Sequence, residues 1–423
     1  MRVAVLGAGV IGTTTAYALA RDGHEVVVID RQGEPAAETS HANGGLIHIS
    51  LVDPWNAPGL LWKLPGWLGR VDSPALIRPA ALPGLARWGL AFLQNSSTDR
   101  HRRNTLTNLR LAMVSALALK RYRAETGIAY DHGERGFLKL FRDRPSFDHA
   151  LAFAAMLEPH GVAHRSLAVD QVIELEPALE PVRAELAGGI HFPDDESGDC
   201  GLFTRELAEV AAARHGVAFR FATTVERLAR DDGRITAAHT SDGRVEADAF
   251  VLACGSYSPP LARGAGLTLP IYPVKGYSLT VPLDGWNAAP RMPVSDEALK
   301  MGVVPLGDRL RLAGSAEFAG HDAVPDPRRA RYIWNSALKV YPALRDHADP
   351  AAIEPWSGLR PMTPEGVPIL GATPLANLFL NTGHGHLGWT MACGSAEVLA
   401  AVVGGRTPPV ELDGLTYARY GRG

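Results

Sequence analysis

Residues 3–30 constrain the fold more than any other stretch. Val3 to Leu6 is a short apolar run, Gly7-Ala8-Gly9-Val10-Ile11-Gly12 follows at once, a helical stretch runs to about Arg21, and Val26-Val27-Val28-Ile29-Asp30 is a second apolar run ending in an acid. Strand, glycine turn, helix and buried strand in that order form a βαβ unit whose turn suits a dinucleotide. Gly7 permits the tight turn, Gly9 lets backbone amides approach a pyrophosphate, and Gly12 lets the helix pack closely on the strand. Val10 and Ile11 open the helix, where unpaired N–H groups and the positive dipole end favour phosphate. Asp30, with Arg31 beside it, is placed to accept hydrogen bonds from an adenosine ribose.

The rest of the chain is large enough to complete such a domain and add another. Of 423 residues, 46% are hydrophobic, which supports two or three packed layers or two domains sharing an interface. With 42 basic against 45 acidic residues there is no net field to hold nucleic acid by its phosphates. Cys200, Cys254 and Cys393 lie far apart in no metal-ligand spacing, and their odd number fits a reducing compartment. A single Arg precedes the first strand and no small-residue cleavage site follows, so a cytoplasmic chain is expected. No stretch reads as approaching the ~20 apolar residues of a spanning helix.

The dinucleotide domain is expected to resume in mid-chain. Val217 to Phe221 and Thr223 to Leu228, the latter including Val225, read as strands, and Asp242-Gly243 turns a hairpin between Ile235–Thr240 and Arg244–Ala247. Ala249 to Ala253 is an apolar strand running into Cys254-Gly255-Ser256. Near the end, Leu378 to Asn381 is a strand, Gly383-His384-Gly385-His386-Leu387-Gly388 a glycine-rich turn, and Trp389 to Val403 an apolar helix. A second glycine turn feeding a buried helix suits a flavin ring.

These residues resemble a known family. Glu38-Thr39-Ser40 leading to Asn43, Gly198-Asp199-Cys200, Lys275-Gly276-Tyr277-Ser278, Gly358-Leu359-Arg360-Pro361-Met362-Thr363-Pro364, and Asn381-Thr382-Gly383-His384-Gly385 through Gly388-Trp389-Thr390 are similar to motifs of the D-amino acid dehydrogenases of small-subunit type. These lie within the wider flavoproteins that include glycine and sarcosine oxidases, and the similarity spans nearly the whole chain. It implies non-covalent FAD and oxidation of an amino acid at its α carbon, with electrons passed to a quinone or other carrier. An oxygen-using amine oxidase and a non-catalytic FAD subunit remain open as alternatives. Three positions depart from the family pattern: Gly44-Gly45-Leu46-Ile47-His48 after Asn43, Leu299 before Lys300, and His386 between Gly385 and Leu387.

The resemblance also implies the site. Ser40, Asn43, Gly44, Gly45, Val225, Ala253, Gly255, Gly383, Gly385, His386, Leu387, Gly388, Trp389 and Thr390 join the opening turn around the cofactor. Arg360 is the expected carboxylate anchor, since a planar guanidinium matches a carboxylate with two parallel hydrogen bonds; an interdomain salt bridge is the structural alternative. His386 is expected as a weaker, pH-dependent contact to that carboxylate, with a hydrogen-bonded loop histidine as the alternative, and His48, in the loop beneath the flavin, as a substrate contact or a packing residue. No metal site is expected. Lys275 reads as a solvated strand residue.

The expected fold class is α/β: a Rossmann-like FAD domain from residues 1–48, 148–258 and 350–423, and an α+β substrate domain with a mixed or antiparallel sheet from 49–147 and 259–349. Trp55, Trp62, Trp67 and Trp88 crowd into residues 46–95, half of the eight tryptophans. That insertion reads as a patch for a membrane surface or quinone, or as a buried insertion. Leu106, Leu109, Met113 and Leu117 predict an amphipathic helix over 105–124. Oligomeric state is not legible.

Overall fold

A computed structural model describes residues 1–283, 285–353 and 355–421. The opening unit forms strand Arg2–Leu6, helix Val10–Arg21 and strand Glu25–Ile29. Both strands are buried on both faces apart from their first residues, as parallel strands covered by other layers must be. They sit in a six-stranded sheet ordered Ile369–Ala372, Leu378–Thr382, Ala249–Leu252, Arg2–Leu6, Glu25–Ile29, Ala218–Arg220. All neighbours are parallel except the Ile369–Ala372 edge. Helices Val10–Arg21, Cys200–His215 and Gly388–Val403 cover one face through Ala16, Leu19, Phe203, Ala396 and Leu399. The small sheet Val225–Asp231, Arg234–Thr240 and Gly243–Val245 covers the other, through Leu228, Ile235 and Val245.

A nine-stranded mixed sheet forms the second layer system. From its Pro355–Met362 end inward, strands Pro355–Met362, Tyr272–Pro282, Arg309–Phe318 and Met301–Leu306 are antiparallel neighbours. Helix Pro327–Val340 lays Ile333, Trp334, Ala337 and Val340 against it.

The sheets redraw the expected domain boundaries. Arg165–Leu167, Gly188–Phe192 and Pro355–Met362, expected in the cofactor domain, are strands of the larger sheet. Helix Thr98–Thr126, expected in the substrate domain, instead places Ala118, Leu119 and Tyr122 in the core beneath Gly388–Val403. Strand pattern reports that a segment pairs, not with what, so partners from other parts of the chain decide membership. On that helix Leu109 is buried, but Leu117 is 72% exposed, because Leu111, Ala112, Ser115 and Ala118 form the packed face.

Two further expectations change. Residues Gly385–Val403 do reach the length and composition of a membrane span, but 78% of that stretch is buried as a core helix. The tryptophan-rich insertion is mixed. Trp88 is buried and donates its indole N–H to the Met362 carbonyl at 2.9 Å, whereas Trp62 is 86% exposed.

Candidate functional site

A cavity of about 630 Å³ opens between the carboxyl ends of the parallel strands and the face of the larger sheet, within the size range of ligand sites. Gly7, Gly9, Val10 and Ile11 form one end. Gly7 has φ +107°, and a Cβ there would stand 2.7 Å from the Ala253 carbonyl oxygen. Helix Val10–Arg21 starts at Gly9, which has no side chain to cap it, so the Ile11 and Gly12 amides of its first turn are left for a ligand. Ser40 Oγ accepts from the Val10 amide at 3.0 Å.

Asp30 closes the turn from the second strand. Its carboxylate accepts from the amides of Ala8 at 2.6 Å and Gln32 at 2.8 Å, and burial pushes its pKa up. Arg31 pairs with Glu38 and lies 3.7 Å over the Tyr257 ring, forming a flat wall beside Val225.

The middle of the cavity is bounded by Asn43, Gly44, Ala253, Gly255, Gly383, Gly385 and Gly388. Asn43 Oδ1 accepts from the Gly45 amide at 3.0 Å, while buried Arg311 donates to the Asn43 carbonyl at 2.6 Å and holds the loop from beneath. Ala313, two residues on, reaches the lining.

The structure gathers most, not all, of the expected residues. Gly12, Gly45, Leu387 and Thr390 do not line the cavity. A Cβ on Gly12 would overlap the Gly7 carbonyl, so this glycine serves helix–strand packing. Gly45 has φ +78° and abuts Val304 and Leu306. Leu387 belongs to a hydrophobic core, and Thr390 Oγ1 accepts from the His48 amide at 3.2 Å, bracing that loop. Trp389 touches the cavity, but its indole N–H is spent on the Gly198 carbonyl at 3.1 Å.

At the other end stand Arg360, His48 and His386. Arg360 lies on strand Pro355–Met362, and its guanidinium crosses the neighbouring strand above Gly276 to donate to the Ser315 carbonyl at 3.0 Å. No carboxylate pairs with it among the described residues, so the interdomain salt bridge is not formed. Desolvation lowers its pKa to about 10, which leaves it protonated at neutral pH. Trp55 contacts both groups, with Arg360 Cζ 5.2 Å from its ring and the His386 ring stacked at 5.0 Å.

The histidines differ from expectation in charge. Burial, then the nearby His48 and Arg360, holds His386 well below 6.5, and burial brings His48 down to about 4. His386 is therefore a neutral ring at neutral pH, not a titrating cation. The Lys275 expectation also fails: its ammonium is buried on Asp322 at 3.0 Å and lies 3.8 Å from Glu317. Its neighbour Tyr277 lines the cavity and donates to Glu317 at 2.5 Å. Trp55, Arg311 and the Tyr277–Glu317 pair were missed as site parts; the tryptophan density pointed to Trp55 and the Lys275-Gly276-Tyr277-Ser278 motif to Tyr277, while nothing local marked Arg311 or Glu317.

The cradle fits FAD by its own features. Besides the helix end, His48 Nδ1, His384 Nδ1 and Asn381 Oδ1 are buried polar atoms without partners on residues that line the cavity, and such atoms call for a ligand. Comparisons with known proteins agree. The FAD dependent oxidoreductase family matches residues 2–402. The D-amino acid dehydrogenase of Paramagnetospirillum magneticum is 49% identical over 421 residues, 99% of each chain, and that of Methylobacterium nodulans 47% identical over 422 residues, again 99% of each. Glycine oxidase from Geobacillus kaustophilus shares the fold at TM-score 0.76 and 23% identity, over 99% of both chains. L-proline dehydrogenase from P. horikoshii does so at TM-score 0.76 and 19% identity, over 98% of both. With its glycine cradle, its split cofactor domain and this full-length similarity, the chain belongs to the family of FAD-dependent oxidoreductases, enzymes whose cofactor is FAD.

Proposed function

We propose that this enzyme oxidises a D-amino acid at its α carbon, giving an imine that water converts to a 2-oxo acid and ammonia, with the electrons leaving to a quinone or another carrier. The carrying observation is Arg360, a guanidinium enclosed at the cavity wall with no carboxylate of its own. A substrate carboxylate would complete it with charge-assisted bonds, and positioning of the α C–H follows from that grip. Bound FAD supplies the two-electron acceptor. His48 and His386 are neutral at neutral pH, so they add no cation against the substrate ammonium. Helix Gly388–Val403 starts at the cavity edge, and its positive end favours negative charge there.

The D configuration is supported by the name borne by the full-length relatives. Transfer to a carrier rather than to oxygen is supported by the dehydrogenase name borne by the full-length relatives, and the lining contains no lysine among the described residues. Anaerobic mixing with a panel of D- and L-amino acids, followed by loss of oxidised-flavin absorbance, tests the reading. D-amino acids should bleach the flavin and L-amino acids should not. No bleaching by any amino acid would leave an electron-relaying subunit, and stoichiometric peroxide in air at the rate of dye reduction would make it an oxidase.

A cytoplasmic enzyme resting on the inner face of the plasma membrane is the location this reading favours. Support comes from exposed Trp62 and from seven Lys or Arg against two Asp or Glu over residues 59–103, in a chain of net charge −3. Flotation with anionic vesicles, lost in Trp62→Ser, is the check; a wild-type chain that stays with the soluble fraction removes it.

A further inference from the structure

The guanidinium of Arg360 is aimed by one carbonyl, that of Ser315, and Ser315 is unusual. It has φ +66°, a left-handed conformation that a serine rarely adopts, and it is buried. It sits at an irregularity in strand Arg309–Phe318. Pairing with strand Tyr272–Pro282 runs Tyr277 to Gly314, then resumes at Lys275 to Glu317, so two residues, Ser315 and Ala316, face Gly276 alone. That is a β-bulge, a device that turns a backbone group out of the ladder. The far edge changes partner at the same point, from strand Met301–Leu306 to Ala75–Ile77.

A left-handed serine persists only where its surroundings hold it. Here the holder is Arg329, a fully buried arginine on helix Pro327–Val340. It donates through Nη2 to Ser315 Oγ and through Nη1 to the carbonyls of Val71 and Ser73, both at 2.6 Å. No carboxylate pairs with it among the described residues, so its bonds go to this one corner of backbone. Burying an arginine is costly, and spending it on a serine hydroxyl and loop carbonyls makes that corner rigid.

We propose that Ser315 and Arg329 are positioning residues for substrate recognition: Arg329 locks the bulge, and the bulge points the Ser315 carbonyl at Arg360 so that the guanidinium presents its fork to the substrate carboxylate. This rests on the reading of Arg360 as the carboxylate anchor. Neither residue lines the cavity, so they act through Arg360 alone.

Ser315→Gly is the informative change, because glycine accepts the left-handed backbone without strain while removing the hydroxyl that Arg329 grips. Arg329→Lys is the second variant, keeping the charge but not the fork. In the FAD-loaded enzyme, the dissociation constant of propionate is read from perturbation of the flavin spectrum, with propionamide as the uncharged control and FAD content as the measure of folding. Ser315→Gly should weaken propionate roughly 3- to 10-fold, the effect of losing one supporting hydrogen bond. Propionamide binding and FAD content should stay within twofold, and KM for the D-amino acid should rise more than kcat falls. If Ser315→Gly and Arg329→Lys both bind propionate within twofold of wild type while Arg360→Leu loses it, the positioning role is overturned and the anchor stands. If Arg360→Leu also keeps its affinity for propionate, anchor and positioning role fall together.

Discussion

Gly276 is the most demanding position around the anchor, and Gly276→Ala tests the geometry with a single methyl group. The backbone there is not left-handed, so alanine is conformationally allowed. Space is what it lacks. An added Cβ would stand 2.6 Å from Arg360 Nη1 and closer still to Cζ and Nη2. Restoring an ordinary contact of about 3.5 Å needs the guanidinium to move by roughly 1 Å. The Trp55 ring, 5.2 Å from Cζ, takes up part of the surrounding space, and moving also breaks the bond to Ser315. Misplacing a substrate-holding group by about 1 Å can cost about 100-fold in rate, close to 2.7 kcal/mol. The expected result is a fall of about that size in kcat/KM for D-amino acids in a dye-linked assay, with FAD content unchanged because the dinucleotide turn lies elsewhere. An amino-acid amide, which carries no carboxylate, should lose far less. If Gly276→Ala keeps kcat/KM within about threefold, too small for a displaced anchor, Arg360 does not hold the carboxylate from where it stands.

Removing the anchor outright should be harsher on charge than on fold. Arg360→Leu should lose about 2 to 5 kcal/mol of transition-state stabilisation, and Arg360→Lys should recover only part of it, measured as kcat/KM at unchanged FAD content. Asp195 sets a pH dependence of stability: it is buried, accepts from the Ile49 amide and Ser50 Oγ, and has its pKa raised by burial from 3.8 to about 7. The unfolded chain releases this proton first, so the buried acid costs stability as pH rises from about 4 to about 7, up to about 4 kcal/mol. Asp195→Asn should therefore gain in melting temperature over wild type from pH 5 to pH 8, and a constant difference across that range would refute the assignment. Denaturation should release FAD into the supernatant, and flavin retained by the precipitate would reveal a covalent link.

What was legible in the sequence was whatever depends on neighbours along the chain. The turn Gly7 to Gly12 must bend tightly, admit a ligand and pack a helix on a strand within a few residues, so its glycines, its strands and Asp30 could be read directly. The apolar runs Ala249–Leu252 and Leu378–Thr382 likewise declared themselves as buried strands. Arg360 was readable as a candidate through its motif, but its surroundings were not. Gly276, Ser315, Trp55 and Arg329 come from four separate segments, and nothing in any one of them says that it will meet the others. Sheet order decided that meeting, and sheet order also moved Pro355–Met362 out of the cofactor domain into the larger sheet. The charge state of His386 was equally beyond the sequence, since only enclosure beside His48 and Arg360 removes the water that would let it titrate near neutral pH. Local geometry is encoded by adjacent residues, whereas desolvation and side-chain company exist only once distant segments pack.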